Sequence, residues 1–221
     1  MFCVGTKSSR SEWCAQKVKF QVFPSALRGI ELLRALTATI RGSVESVAEM
    51  IGSPTTRSDR LRDLASAEAE ASDLLHAVMT HLRTSYVSPL PREDMYALSR
   101  FLHETMEHLR GTGELIMTVG STPLSERSSE QLELISQLAE LASDAVQRLN
   151  NLDDLEDHWL QMLQFSKRAA RTHLVWGDEI ANFSKASTIH RHQQVADQLM
   201  LAANTLRQFA DHLGRVLVKE S

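Results

Sequence analysis

From residue 30 to residue 216 apolar side chains recur at alternating steps of three and four, the spacing that lines up one face of an α-helix. Ile30, Leu33, Thr37, Ile40, Val44, Val47 and Ile51 make the first such seam. Leu61, Leu64, Glu68, Ala71, Leu75, Val78 and Leu82 make the second, and Leu98, Leu102, Leu109 and Ile116 the third. A fourth helix is marked by Leu132, Ile135, Leu138, Ala142, Ala145 and Leu149, and a fifth by Met162, Phe165, Ala169, Leu174, Ile180 and Phe183. The cleanest repeat is the last: Val195, Leu199, Ala202, Leu206, Phe209, Leu213 and Val216.

The breaks between these seams are equally plain. Gly52 to Thr56 reads as a turn, as does the stretch from Val119 to Pro123. Asn150, Asn151, Asp153 and Asp154 read as a break and a fresh helix cap, and a further break falls near Ser184 to Ser187. Six helices with short connections predict antiparallel neighbours. The expected architecture is all-α, two antiparallel three-helix bundles over residues 24–118 and 128–219, preceded by an N-terminal arm over 1–23. In that arm Phe20, Val22 and Phe23 form a short apolar tract expected to pack on the body.

Composition narrows the function classes. The chain has 221 residues, 43% of them hydrophobic, and a formal net charge of −4. That balance argues against a nucleic-acid binder, which presents a strongly basic face. The cations are mostly arginine, suited to fixed ion pairs. Cys3 and Cys14, the only cysteines, stand without a CxxC or Cys/His spacing, so a reducing compartment and no zinc site are expected. No stretch of about 18 apolar residues suggests a membrane span, and no secretory leader is evident at the N-terminus. The expectation is a cytoplasmic protein that reaches a membrane only by docking on a partner.

Residues 85–98, SYVSPLPREDMYAL, carry the most information. Pro89 and Pro91 disfavour helix in the residues before them, so the second helix must stop by about Ser85. A new helix can begin at Pro91, which places Glu93 and Asp94 in its first turn, where carboxylates complement the helix dipole. The same stretch resembles the TFITPFDREDIYAL signature of the Pit accessory proteins, distant PhoU relatives associated with low-affinity phosphate transporters. Pro89, Arg92, Glu93, Asp94, Tyr96, Ala97 and Leu98 match in one ungapped run. The resemblance implies a PhoU-like fold of two three-helix bundles and a non-enzymatic role in regulating phosphate uptake. The implied partner is an inorganic phosphate permease, and self-association is expected of long bundles.

PhoU-like proteins also present acidic pairs four residues apart on their helices, a spacing that stacks two carboxylates for a cation. Carried over by position, Asp73 remains on helix two while Ala69 takes the place of its partner, with Glu70 one step away. On helix three the pattern becomes His103, Glu104 and Glu107. On helices five and six the acids are replaced by Lys167 and Arg171, and by Met200 and Asn204. The expectation is therefore no cofactor, or one weakly bound divalent metal at Asp73, Glu70, His103 and Glu107. Lys167, Arg168 and Arg171 read as a solvated face or, alternatively, as cations that neutralise the surviving acids.

Two further features stay open. His103 to His108 comes near a zinc-protease helix but misplaces one ligand in either direction, so ion pairing of His103 with Glu107 and Glu104 with His108 is the expected role. Glu68, on an apolar seam, is a ligand, half of an internal pair or at the seam's edge. His173, Trp176 and Asp178 read as an ordinary amphipathic helix rather than a pocket. Against the regulator stand two alternatives: a metal-binding helical protein, and a helical adaptor with no phosphate link.

Overall fold

The structure, a computed structural model, describes residues 24–85, 88, 90–120, 122–149 and 155–220. Six helices account for nearly all of them: α1 (Pro24–Gly52), α2 (Arg57–Thr84), α3 (Arg92–Val119), α4 (Glu126–Arg148), α5 (Leu155–Ala181) and α6 (Ala186–Glu220). No strand occurs among the described residues. The N-terminal tract Phe20, Val22, Phe23, both cysteines, Pro89 and the expected cap at Asn150, Asn151, Asp153 and Asp154 lie outside them.

The helices form because their seams have somewhere to go. All six seam positions of α4 and all seven of α6 are buried. Thr37 is tolerated in the α1 seam because its hydroxyl donates to the Arg34 carbonyl at 2.8 Å, so no polar atom is left without a partner. Thr105, Thr112, Ser166 and Thr205 solve the same problem in the same way, each donating to the carbonyl four residues back.

One seam departs from the expected pattern. Leu174 is 69% exposed, and Trp176 takes the interior position at 0%. Five residues beyond the buried Ala169, a side chain points about 140° away around the helix, whereas seven residues beyond it returns to the same face. Trp176 and Ile180 therefore continue the core, and Leu174 faces solvent.

Within the first half α1, α2 and α3 pack on one another, and within the second α4 packs on α5 and α6 and α5 on α6. The halves meet through α3 against α6 and α1 against α4, leaving α2 and α5 as the outer helices on opposite sides. Odd-numbered helices start at one end of the molecule and even-numbered ones at the other.

Each end carries a polar fastening. The buried Arg57 donates from Nε to the Met50 carbonyl at 3.0 Å and from Nη1 to the Gly120 carbonyl at 3.2 Å. It thus sets a cation against the C-terminal ends of α1 and α3, where carbonyls lack helical partners. Gly120, at φ +76°, supplies the left-handed residue that stops α3. At the same end Ser125 caps α4, accepting from the Arg127 amide at 3.2 Å and donating to Glu179 on α5 at 2.5 Å. Arg127 Nε reaches the same Glu179 at 3.0 Å. The Ser125 bond first and Arg127 second hold the Glu179 carboxyl below its usual pKa.

His192 is the anomaly of the core. It is fully buried, neither ring nitrogen has a partner, and it lies tilted against Phe183 at 4.8 Å between centroids. Burial lowers its pKa, because the charged imidazolium would lose its hydration with nothing in return. The unfolded chain protonates first, at about pH 6.5, so this group's contribution to stability is complete above that pH and is lost as pH falls through the lower folded value. Urea unfolding at pH 7.5 and pH 5.5 checks it. Replacing His192→Leu should shrink the stability lost between the two, and an unchanged loss would assign the pH dependence elsewhere.

Candidate functional site

The signature segment folds into the start of α3. Pro91 is the N-cap rather than the first helical residue, a shift of one position from expectation, and its carbonyl accepts from the amides of Asp94 and Met95, each at 3.0 Å. Arg92 Nη2 donates to the Ser85 carbonyl at 2.8 Å, closing the connection from α2 onto α3. Glu93 and Tyr96 face solvent.

Asp94 does not. Its side chain is 2% exposed and meets α6: His212 Nε2 lies 2.9 Å from Oδ1, and Lys219 Nζ lies 2.9 and 3.0 Å from the two carboxylate oxygens. A carboxylate only accepts, so His212 donates through Nε2. The Phe101 ring flanks His212 at 6.2 Å. An acid expected merely to complement a helix dipole thus also ties the start of α3 to the last turns of α6.

The candidate metal residues are spread over α2 and α3. Glu70 and Asp73 are exposed on the outer side of α2. His103 Nε2 is 3.0 Å from the Ser72 hydroxyl, and its Nδ1 faces Glu107 Oε1 at 3.8 Å. Among the described residues no group of three or more His, Cys, Asp or Glu side chains is placed to hold a metal ion. The geometry brings together Ser72, His103 and Glu107 only. The expected pairing of Glu104 with His108 is not formed: Glu104 binds Arg100, and His108 Nδ1 turns to Gln198 of α6 at 3.2 Å. Burial, partly offset by Glu107 and Glu104, lowers the His108 pKa and favours the neutral ring at that contact. Glu68 pairs with Arg110 across α2 and α3, and Arg110 also reaches Glu114 at 3.1 Å. The seam's one carboxylate is therefore an ion pair at its edge.

At the corresponding places in the second half, Lys167, Arg168 and Arg171 form an exposed row on α5. Met200 is half-buried against Gln131, whose Nε2 lies 3.5 Å from its sulfur. Two concavities are open grooves: about 330 Å³ between α1 and α4 beside Glu45 and Glu133, and about 510 Å³ beside Trp159, Gly214 and Val218. No helix among the described residues is long and apolar enough to cross a membrane.

The fastening residues Arg57, His212 and Lys219 were not readable as functional positions. The partners of Asp94 lie 118 and 125 residues away, and no local pattern announces such a contact. Replacing Asp94→Asn removes a charged acceptor from a buried site, for which a loss of about 2 kcal/mol is expected. Lys219→Met, half-exposed, should cost under about 1 kcal/mol. Urea unfolding of both variants measures the order, and a neutral D94N would show that the clasp does not hold α6.

No protein-family model and no curated protein matches the chain. Solved structures do. PhoU from Pseudomonas aeruginosa superposes with a TM-score of 0.71 at 13% identity, over 90% of this chain and 100% of that one. The phosphate transport system regulatory protein PhoU from Streptococcus pneumoniae gives 0.68 at 10% identity, over 89% and 98%. A PhoU-like protein from Shewanella oneidensis gives 0.67 at 10%, over 86% and 99%. The architecture of this chain is the all-α, PhoU-like fold.

Proposed function

We propose that this protein is a non-catalytic regulator of phosphate transport that acts by docking its helical surface on an inorganic phosphate permease. The observation that carries the reading is the end-to-end likeness to two PhoU structures, covering 98% and 100% of their chains, in a sequence that bears the accessory-protein signature at residues 85–98.

The docking mode follows from the surface. The two grooves are shallow and open, suited to a helix or loop of a partner rather than to an enclosed small substrate. Within the signature, Asp94 and Arg92 are engaged in holding α3, α6 and the α2–α3 connection, which leaves the exposed Glu93 and Tyr96 to face a partner. Any attachment to the membrane is peripheral and goes through that partner, with the protein itself in the cytoplasm.

Phosphate uptake in cells lacking the protein, with permease abundance held constant, tests this directly. Altered uptake kinetics and co-purification with a phosphate permease are expected. A Glu93→Lys/Tyr96→Ala variant that keeps wild-type helicity should lose the complex. Unchanged uptake and no recoverable permease complex would reject the reading.

A further inference from the structure

The two outer helices carry opposite charge at mid-length. On α2 the outward side presents Glu70 and Asp73, and on α5 it presents Lys167 and Arg171. No ion pair among the described residues engages any of these four. Other surface charges of this molecule do find partners, among them Arg60 with Glu49 and Asp63, Arg100 with Glu104, and Arg110 with Glu68 and Glu114.

Their heights match. Ser72 of α2 bonds His103 of α3 at 3.0 Å, His108 of α3 meets Gln198 of α6 at 3.2 Å, and Asp197 of α6 meets His173 of α5 at 3.4 Å. Counting along these antiparallel helices at about 1.5 Å per residue puts residue 167 of α5 level with residue 72 of α2. A second copy set beside the first at the same height lays its α2 antiparallel to α5. To within two residues, Lys167 then faces Asp73, Arg171 faces Glu70, Asp157 faces Arg83, and Asp178 faces Arg62, which also pairs with Asp59 of its own helix. Along α5 the cations Lys167 and Arg171 lie between Asp157 and Asp178, and along α2 the acids Glu70 and Asp73 lie between Arg62 and Arg83, with Asp59 and Asp63 interspersed among the arginines of its first turns. The exposed leucines 160 and 174, at 42% and 69%, come within one residue of Thr80 and Ser66, which are small enough to receive them.

We propose that the protein self-associates side by side, with the basic outer face of α5 in one copy seated on the acidic outer face of α2 in the next. The interface is heterologous, because α2 and α5 lie on opposite sides of the molecule, so copies build a row or a ring rather than a two-fold dimer. It buries the three exposed large apolar side chains of α5, Leu160, Leu174 and Val175, which stay open to solvent among the described residues. Exposed ion pairs are weak singly, so the association depends on several in register and weakens with salt. The proposal stands independently of the phosphate reading.

Sedimentation of the full chain at low and high salt tests it, with two charge-reversed variants. Lys167→Glu/Arg171→Glu makes both outer faces acidic, and Glu70→Lys/Asp73→Lys makes both basic. The wild-type chain should associate at low salt and dissociate at high salt. Each variant, with helicity checked by circular dichroism, should associate roughly tenfold or more weakly. An equimolar mixture of the two should recover association, because each supplies the face the other lacks. A monomeric wild-type chain at low salt, assembly that survives either reversal, or a mixture that stays monomeric would overturn the proposal.

Discussion

The packing of α3 along α6 is the contact on which the rest of this molecule depends. Leu98, Leu102 and Leu109 on one helix and Leu199, Ala202, Leu206, Phe209 and Leu213 on the other are buried completely, each large side chain contributing about 1.5–3 kcal/mol. Close approach is built in. A Cβ on Gly111 would lie 2.6 Å from Gln198 Nε2, so the bond between Gln198 and His108 sits where glycine leaves room. The clasp of Asp94 on His212 and Lys219 then fixes the register at the end where α3 begins and α6 finishes. Because α1 also packs on α4, the apolar cores of the two halves run together as one.

What was legible in the sequence is what repeats. A helix that buries one stripe must repeat its apolar residues at three and four, so six seams gave six helices and most of the core. The turn at Gly52 to Thr56 and the stop before Ser85 announced themselves through glycine, proline and small polar residues. Local periodicity failed only where two apolar residues competed for one position: Leu174 and Trp176 are two apart, and geometry relative to Ala169 sends the larger one inside. The polar site was far less legible. Glu68 was left with three readings because its partner Arg110 is on another helix. Arg57 gave no sign that it would bridge the ends of α1 and α3. Contacts of that kind are set by tertiary placement, and a single sequence records the residues but not their meeting.

The same physics explains how a chain 10–13% identical to PhoU structures has their fold. Burial constrains the seam, and volume-conserving apolar exchanges there cost little, so one architecture is compatible with very different sequences. The outer faces are free of that constraint. Here acids stand on α2 and α3 and cations on α5. Among the described residues the surviving acids and His103 form hydrogen bonds and ion pairs or stand exposed, without a three-ligand cluster.

The α3–α6 seam makes both halves one cooperative unit. Native-state hydrogen exchange measures this residue by residue. The slowest amides of α1–α3 and of α4–α6 should exchange through one global opening with a common free energy, and Asp94→Asn should lower both together. Residues 24–119 and 126–220 opening at clearly different free energies, or a D94N effect confined to one half, would contradict it.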